Sequence, residues 1–137
     1  MIWHRPIAVE FNHCDPAGIV FYPRYFEMTN SVIENFFADV IDYPYARITM
    51  EERHGVPTVH IEADFRAPAR LGDRLDFALE IRRLGRSSVA FHLAATARDI
   101  LRMEATLTLA WISPAGRAAP WPDTIRSRLA AFMETDA

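Results

Sequence analysis

Four stretches of the chain alternate apolar and polar side chains. Val59, Ile61, Ala63 and Phe65 are interleaved with His60, Glu62 and Asp64, and Leu75, Phe77, Leu79 and Ile81 with Asp76, Glu80 and Arg82. Val89, Phe91, Leu93 and Ala95 repeat the pattern, as do Met103, Ala105, Leu107, Leu109 and Trp111. A period of two belongs to strands with one buried face, so four strands in succession are predicted. Turns are predicted near Leu71-Gly72-Asp73, Leu84-Gly85-Arg86 and Arg98-Asp99. Residues 2–11, rich in β-branched and aromatic types with Ile7, Val9 and Phe11 in alternation, predict a first strand. After Pro23 the period changes: Tyr25, Phe26, Thr29, Val32, Ile33, Phe36, Phe37, Val40 and Ile41 have the three-to-four spacing of a long helix, with Pro23 in its first turn. Residues 41–55, with Pro44 and the polar run to Gly55, read as a loop and a short helix ending near Gly55. Residues 121–134, opening with Pro122-Asp123 and carrying Ile125, Leu129 and Phe132, predict a terminal helix.

A sheet whose strands share one apolar face must cover it, and the only sufficiently long apolar helix is the one after Pro23. The expected class is α+β, an antiparallel sheet wrapped around one long central helix. No repeat, low-complexity tract or linker interrupts the chain. Its 137 residues, 50% hydrophobic, suit one domain over residues 1–137.

Composition narrows the chemistry. No run approaches the ~18 apolar residues that cross a bilayer, and the N-terminus lacks a basic region followed by an apolar stretch and cleavage site. A soluble, cytoplasmic protein without a membrane partner is expected, in keeping with a single cysteine. The net charge of -3 and the absence of a basic run argue against nucleic acid as a partner. All fifteen cations are arginine, which removes P-loop and Schiff-base chemistry but leaves phosphate recognition by guanidinium. No Gly-x-Ser-x-Gly elbow is present, so ester chemistry would need another device.

One segment carries that possibility: His13-Cys14-Asp15-Pro16-Ala17-Gly18-Ile19-Val20-Phe21-Tyr22-Pro23. Taken alone, Asp-Pro-x-Gly is the sequence of a type I turn. Such a turn also sets its carboxylate beside the start of the next helix, where free N–H groups and the positive end of the dipole can meet a substrate oxygen. The segment and the order of elements resemble the hot-dog thioesterases, most closely the 4-hydroxybenzoyl-CoA thioesterase family, in which an Asp-Cys-Asp-Pro-Ala-Gly-Ile-Val-type loop precedes the long helix. The match is specific over about residues 9–28, and beyond residue 54 it rests on element order and isolated residues.

The resemblance implies hydrolysis of an acyl-CoA thioester, aromatic or short to medium in chain, with Asp15 as nucleophile or general base. The backbone N–H of Tyr22 would polarise the carbonyl, Phe21, Asn30 and His60 would lie near the acyl group, and Arg86, Ser87 and Arg117 would hold coenzyme A. It implies no metal and no cofactor beyond the coenzyme A of the substrate, and a homo-oligomer, dimer or tetramer. Two departures stand out. Asn30 replaces a carboxylate of the close relatives, and His13 replaces the first acidic residue of the motif.

Read from residue type alone, Phe21 suits a core, Asn30 a solvated helix face, and turn arginines solvent. His60, Glu62 and Asp64 share one strand face, which suits either metal ligands or an ordinary polar face. Cys14 reads as a small packing residue, since adjacent residues seldom form a Cys–His pair. His54 offers a different enzyme, a hot-dog dehydratase or hydratase acting on an acyl thioester through a histidine base. A module that binds acyl thioesters without turnover is the non-enzymatic reading.

Overall fold

A computed structural model describes residues 1–134; the last three residues of the expected domain lie outside the described residues. The elements run β1 (Trp3–Ala8), α1 (Arg24–Asp39), β2 (Thr58–Phe65), β3 (Arg74–Leu84), β4 (Ser88–Ala97), β5 (Ile100–Ala110) and α2 (Asp123–Glu134). The five strands form one antiparallel sheet in the order β1-β3-β4-β5-β2. The segment holding α1 therefore joins the two edge strands.

The alternation reads out as predicted in the middle of the sheet. Leu75, Phe77 and Leu79 of β3, Val89, Phe91, Leu93 and Ala95 of β4, and Met103, Ala105, Leu107 and Leu109 of β5 are all buried. They meet the apolar stripe of α1, formed by Tyr25, Met28, Val32, Ile33, Phe36 and Phe37. The cover is not one helix alone. The α2 helix buries Ile125, Leu129 and Phe132, and the Phe132 ring packs edge-on against Phe36 at 4.9 Å. A 16-residue helix is about 24 Å long, so a second element completes the layer.

Three local expectations shift. The first strand stops at Ala8, because Phe11–His13 coil into a 3-10 turn. The long helix ends at Asp39, followed by Asp42 with a left-handed φ of 55°. The short helix before Gly55 is a five-residue π-turn, Arg47–Glu51.

Candidate active site

The Asp15 segment folds into a miniature hairpin. Phe21 donates its N–H to the His13 carbonyl at 2.9 Å, Cys14 pairs with Val20, and Asp15 donates to Ile19 at 3.0 Å. The tip is the expected turn, closed by the Gly18 N–H on the Asp15 carbonyl at 3.0 Å, with Gly18 at φ +77°, a conformation a side chain would strain. Asp15 Oδ1 accepts the Ala17 N–H at 2.9 Å. Among the described residues Oδ2 has no hydrogen-bond partner, so half the carboxylate is free to accept a proton or attack.

Asp15 lines a hollow of about 450 Å³ with Phe11, Cys14, Pro16, Gly18 and Leu71. Cys14 faces the hollow with its thiol donating to the Glu10 carbonyl at 3.5 Å. His13 is turned away from chemistry: its Nδ1 accepts the Glu10 N–H at 2.9 Å. An acidic side chain at that position would accept the same N–H, which accounts for the substitution in the motif.

At the start of α1 the N–H groups of Arg24, Tyr25 and Phe26 are taken by the carbonyls of Phe21, Tyr22 and Pro23, at 2.9, 3.2 and 3.1 Å. The Tyr22 N–H has no partner among the described residues. Pro23 supplies no side-chain cap, so among the described residues nothing competes for that donor. The Tyr22 side chain lines a second hollow, of about 230 Å³, with Ile19, Val20, Tyr25, Phe65 and the 66–69 segment. Phe21 is half exposed and packs edge-on against the Tyr22 ring at 5.5 Å.

Asn30 stands exposed on α1 beside a third hollow, of about 210 Å³, formed by Phe26, Thr29, Thr58, Ile61 and Leu107. His60 is not brought to it within one chain. Successive strand residues face opposite sides, so His60 points away from Ile61 and pairs instead with Glu62 at 3.2 Å. Asp64 pairs with Arg66 at 3.5 Å, and among the described residues no three acidic, histidine or cysteine groups converge as a metal cage. The His54 ring lies flat on Trp111 at 4.8 Å, with Nδ1 bonded to the Glu52 carbonyl at 2.7 Å.

Arg86, Ser87 and Arg117 share one end of the sheet. The Ser87 carbonyl accepts from Trp111 at 2.7 Å, that of Arg86 from Trp121 at 3.0 Å, and that of Arg117 from Ser113 at 2.8 Å, leaving both guanidinium groups exposed. This end is not the Asp15 end. Val9, just before the hairpin, bonds to Asp73 at the start of β3, whereas Arg86 follows the end of β3. Eleven residues of strand put the two about 30 Å apart.

Residues 9–129 match the family model described as the thioesterase-like superfamily. The chain belongs to this superfamily. Over 82 residues it is 35% identical to the 4-hydroxybenzoyl-CoA thioesterase of Pseudomonas sp. strain CBS-3, a match covering 58% of this chain and 57% of the relative's length. The solved structure of that enzyme superposes with a TM-score of 0.85 at 25% identity, over 93% of this chain and 98% of the other. A gentisyl-coenzyme A thioesterase superposes at 0.82 with 24% identity, over 91% and 98%. A Staphylococcus aureus protein solved in complex with CoA superposes at 0.90 with 14% identity, over 98% and 85%. The fold of this thioesterase-like chain is thus the hot-dog fold of those structures, with the cover shared by α1 and α2.

The turn was legible in the motif; the hairpin pairing on either side of it was not. The wall made by Phe65 and residues 66–69 was not, because it faces the hairpin only after the chain has crossed from one sheet edge to the other.

Proposed function

We propose that this protein hydrolyses an acyl-CoA thioester to the free acid and coenzyme A. The observation that carries the reading is that one short segment holds both a half-free carboxylate on Asp15 in the hairpin and, just past it at the start of α1, an unpartnered N–H on Tyr22. A thioester carbonyl held by the Tyr22 donor gains charge on its oxygen as it is attacked, and a preorganised donor stabilises that charge. Asp15 then acts in one of two ways. As general base it takes a proton from water, which adds to the carbonyl and expels the thiolate. As nucleophile it forms a mixed anhydride with loss of the thiolate, and water cleaves the anhydride. Both routes balance with one water and neither calls for a metal.

Phe21 and Asn30 line the approach of the acyl group, and the hollow at Asn30 suits an aromatic or a short to medium acyl chain. An amide there binds a neutral polar end less strongly than a carboxylate would bind a hydroxyl, so the substrate need not be 4-hydroxybenzoyl-CoA.

The working unit is a homo-oligomer, at least a dimer. On β2, Val59, Ile61 and Phe65 are exposed on an unpaired sheet edge, a surface that invites a second strand. Antiparallel pairing of two β2 strands sets the Phe65 end of one copy beside the Thr58 end of the other. That brings Arg86, Ser87 and Arg117 of one copy toward Asp15 of its neighbour, closes the gap left within one chain, and returns His60 to the shared site. The setting is cytoplasmic, where a lone thiol stays reduced. Among the described residues no helix is long and apolar enough to cross a membrane.

The test is thiol release over aromatic and aliphatic acyl-CoA substrates, comparing the parent with Asp15→Asn. Replacement is expected to lower kcat at least ~100-fold, the scale of losing a general base or nucleophile. Undiminished hydrolysis would reject the mechanism. A change in enoyl absorbance without thiol release would move the assignment to a dehydratase, and binding without turnover to a binding module.

A further inference from the structure

Residues 66–73, between β2 and β3, form the wall against which the Asp15 hairpin rests. Val20 donates its N–H to the Ala69 carbonyl at 2.8 Å, and Leu71 to the Gly18 carbonyl at 3.0 Å. Further along, Val9 donates to Asp73 at 2.8 Å and Gly72 to Val9 at 3.1 Å.

The wall is itself held by Arg102. The register of β4 against β5 slips between Ala95 and Thr96, so Arg102 faces no residue of β4, and it is only 9% exposed. Its guanidinium donates to the Pro68 carbonyl at 2.7 Å and the Ala97 carbonyl at 3.0 Å. Its own carbonyl accepts the N–H groups of Arg66 and Ala67 at 2.8 and 3.1 Å. Asp73, 8% exposed, supplies the opposite charge at 3.7 Å and accepts the Arg70 N–H at 2.9 Å. The exposed Arg98 approaches the other oxygen of Asp73 at 3.9 Å. Two groups of opposite charge buried beside this connecting segment fix it, because separating them would leave a charge unpaired. Tyr25, in the first turn of α1, lies close enough to feel both. Burial raises its phenol pKa, while Arg102 lowers it and Asp73 raises it further.

We propose that the buried Arg102–Asp73 pair is a positioning device for the active loop, fixing residues 66–73 and, through the Val20 and Leu71 bonds, the Asp15 hairpin against the start of α1. The inference rests on the reading of Asp15 as the catalytic carboxylate. Neither residue of the pair lines the Asp15 hollow, so its influence is geometric.

Two variants test it. Arg102→Lys keeps the charge but loses the fork that spans two carbonyls, and Asp73→Asn keeps an acceptor for Arg70 while removing the charge. The expected result is a kcat lowered roughly 10- to 100-fold, the effect of shifting a catalytic group by about 1 Å, with KM for acyl-CoA within about threefold. Hydrogen exchange is expected to quicken at the Val20 and Leu71 amides and to stay unchanged at Leu93 and Leu107 in the middle of the sheet. An unchanged kcat alongside faster Val20 and Leu71 exchange would overturn the proposal, as would exchange that quickens evenly across the sheet. If Arg102→Lys does not fold, Asp73→Asn decides by the same readings. If Asp15→Asn leaves hydrolysis intact, the catalytic reading fails, while exchange at Val20 and Leu71 still reports whether the pair anchors the hairpin.

Discussion

β4 and β2 carry the same alternation of apolar and polar side chains, yet one is sealed and the other open. Along β4 every second side chain from Val89 to Ala97 is buried, whereas on β2 Val59, Ile61 and Phe65 are 58%, 39% and 48% exposed. The difference lies in position. β4 sits between β3 and β5 under the helices, and β2 is an edge strand that α1 covers only in part, through Tyr25 and Phe26 against Phe65. Alternation therefore reports which side chains share a face, and only topology decides what covers it. The open strand borders the candidate site, with Phe65 at the Tyr22 hollow and Ile61 at the Asn30 hollow. Stability is concentrated in one region and the surfaces available to substrate and partner in the other.

The largest effect expected from this contrast is on the sealed side. Phe91 is fully buried and its ring meets Phe36 at 5.5 Å and Phe37 at 6.3 Å. Phe91→Ala removes a ring from both contacts and leaves a cavity, costing about 3–5 kcal/mol of unfolding free energy. Chemical denaturation measures it. A cost under about 1 kcal/mol would mean that the aromatic cluster is not the stabilising centre.

The open side should respond differently. Ile61→Arg places a charge on the exposed edge, where it meets water in a single copy and a second copy's strand in a dimer. The variant is expected to fold with a loss within about 1 kcal/mol at low protein concentration, the range of an exposed position. It should run as a monomer in sedimentation equilibrium and lose turnover with the dimer. A dimer that survives the charge would direct the search for the interface away from β2. A loss as large as that of Phe91→Ala would erase the contrast itself.

The same contrast explains what the sequence made legible. Strands and the long helix follow from period, which is local, and the Asp15 turn follows from residues whose backbone preferences are strong. The first strand was drawn too long because Val9 and Phe11 continue the alternation, while Glu10 and His13 tie the backbone into a 3-10 turn. Arg102 was invisible for a deeper reason. A lone charge between Leu101 and Met103 reads as outward-facing, and only the register slip against β4 turns it inside. The placing of Asp15 and Arg86 at opposite ends of β3 was equally hidden, since residue numbers do not tell which end of a sheet a turn occupies.

The smallest effect concerns a side chain that links β4 to the end of β2 on the outer face. Glu104 of β5 accepts from His92 of β4 at 3.4 Å and from Arg66, just past β2, at 3.2 Å. Its pKa is held below 4.5 chiefly by the hydrogen bond to His92, with Arg66 adding to it against a burial effect of opposite sign. The native state therefore binds fewer protons than the unfolded chain in that range, and the stabilisation is fully present above pH 4.5. It is lost as the pH falls through the depressed native value. Glu104→Gln keeps the shape without the charge, so parent and variant should differ near neutrality and converge on acidification. Denaturation midpoints measured across that range check the sign. The part-exposed setting keeps the difference small and sensitive to salt. A gap that stays constant down to low pH would trace it to shape rather than charge, and would remove Glu104 as an electrostatic tie between the sealed strand and the open one.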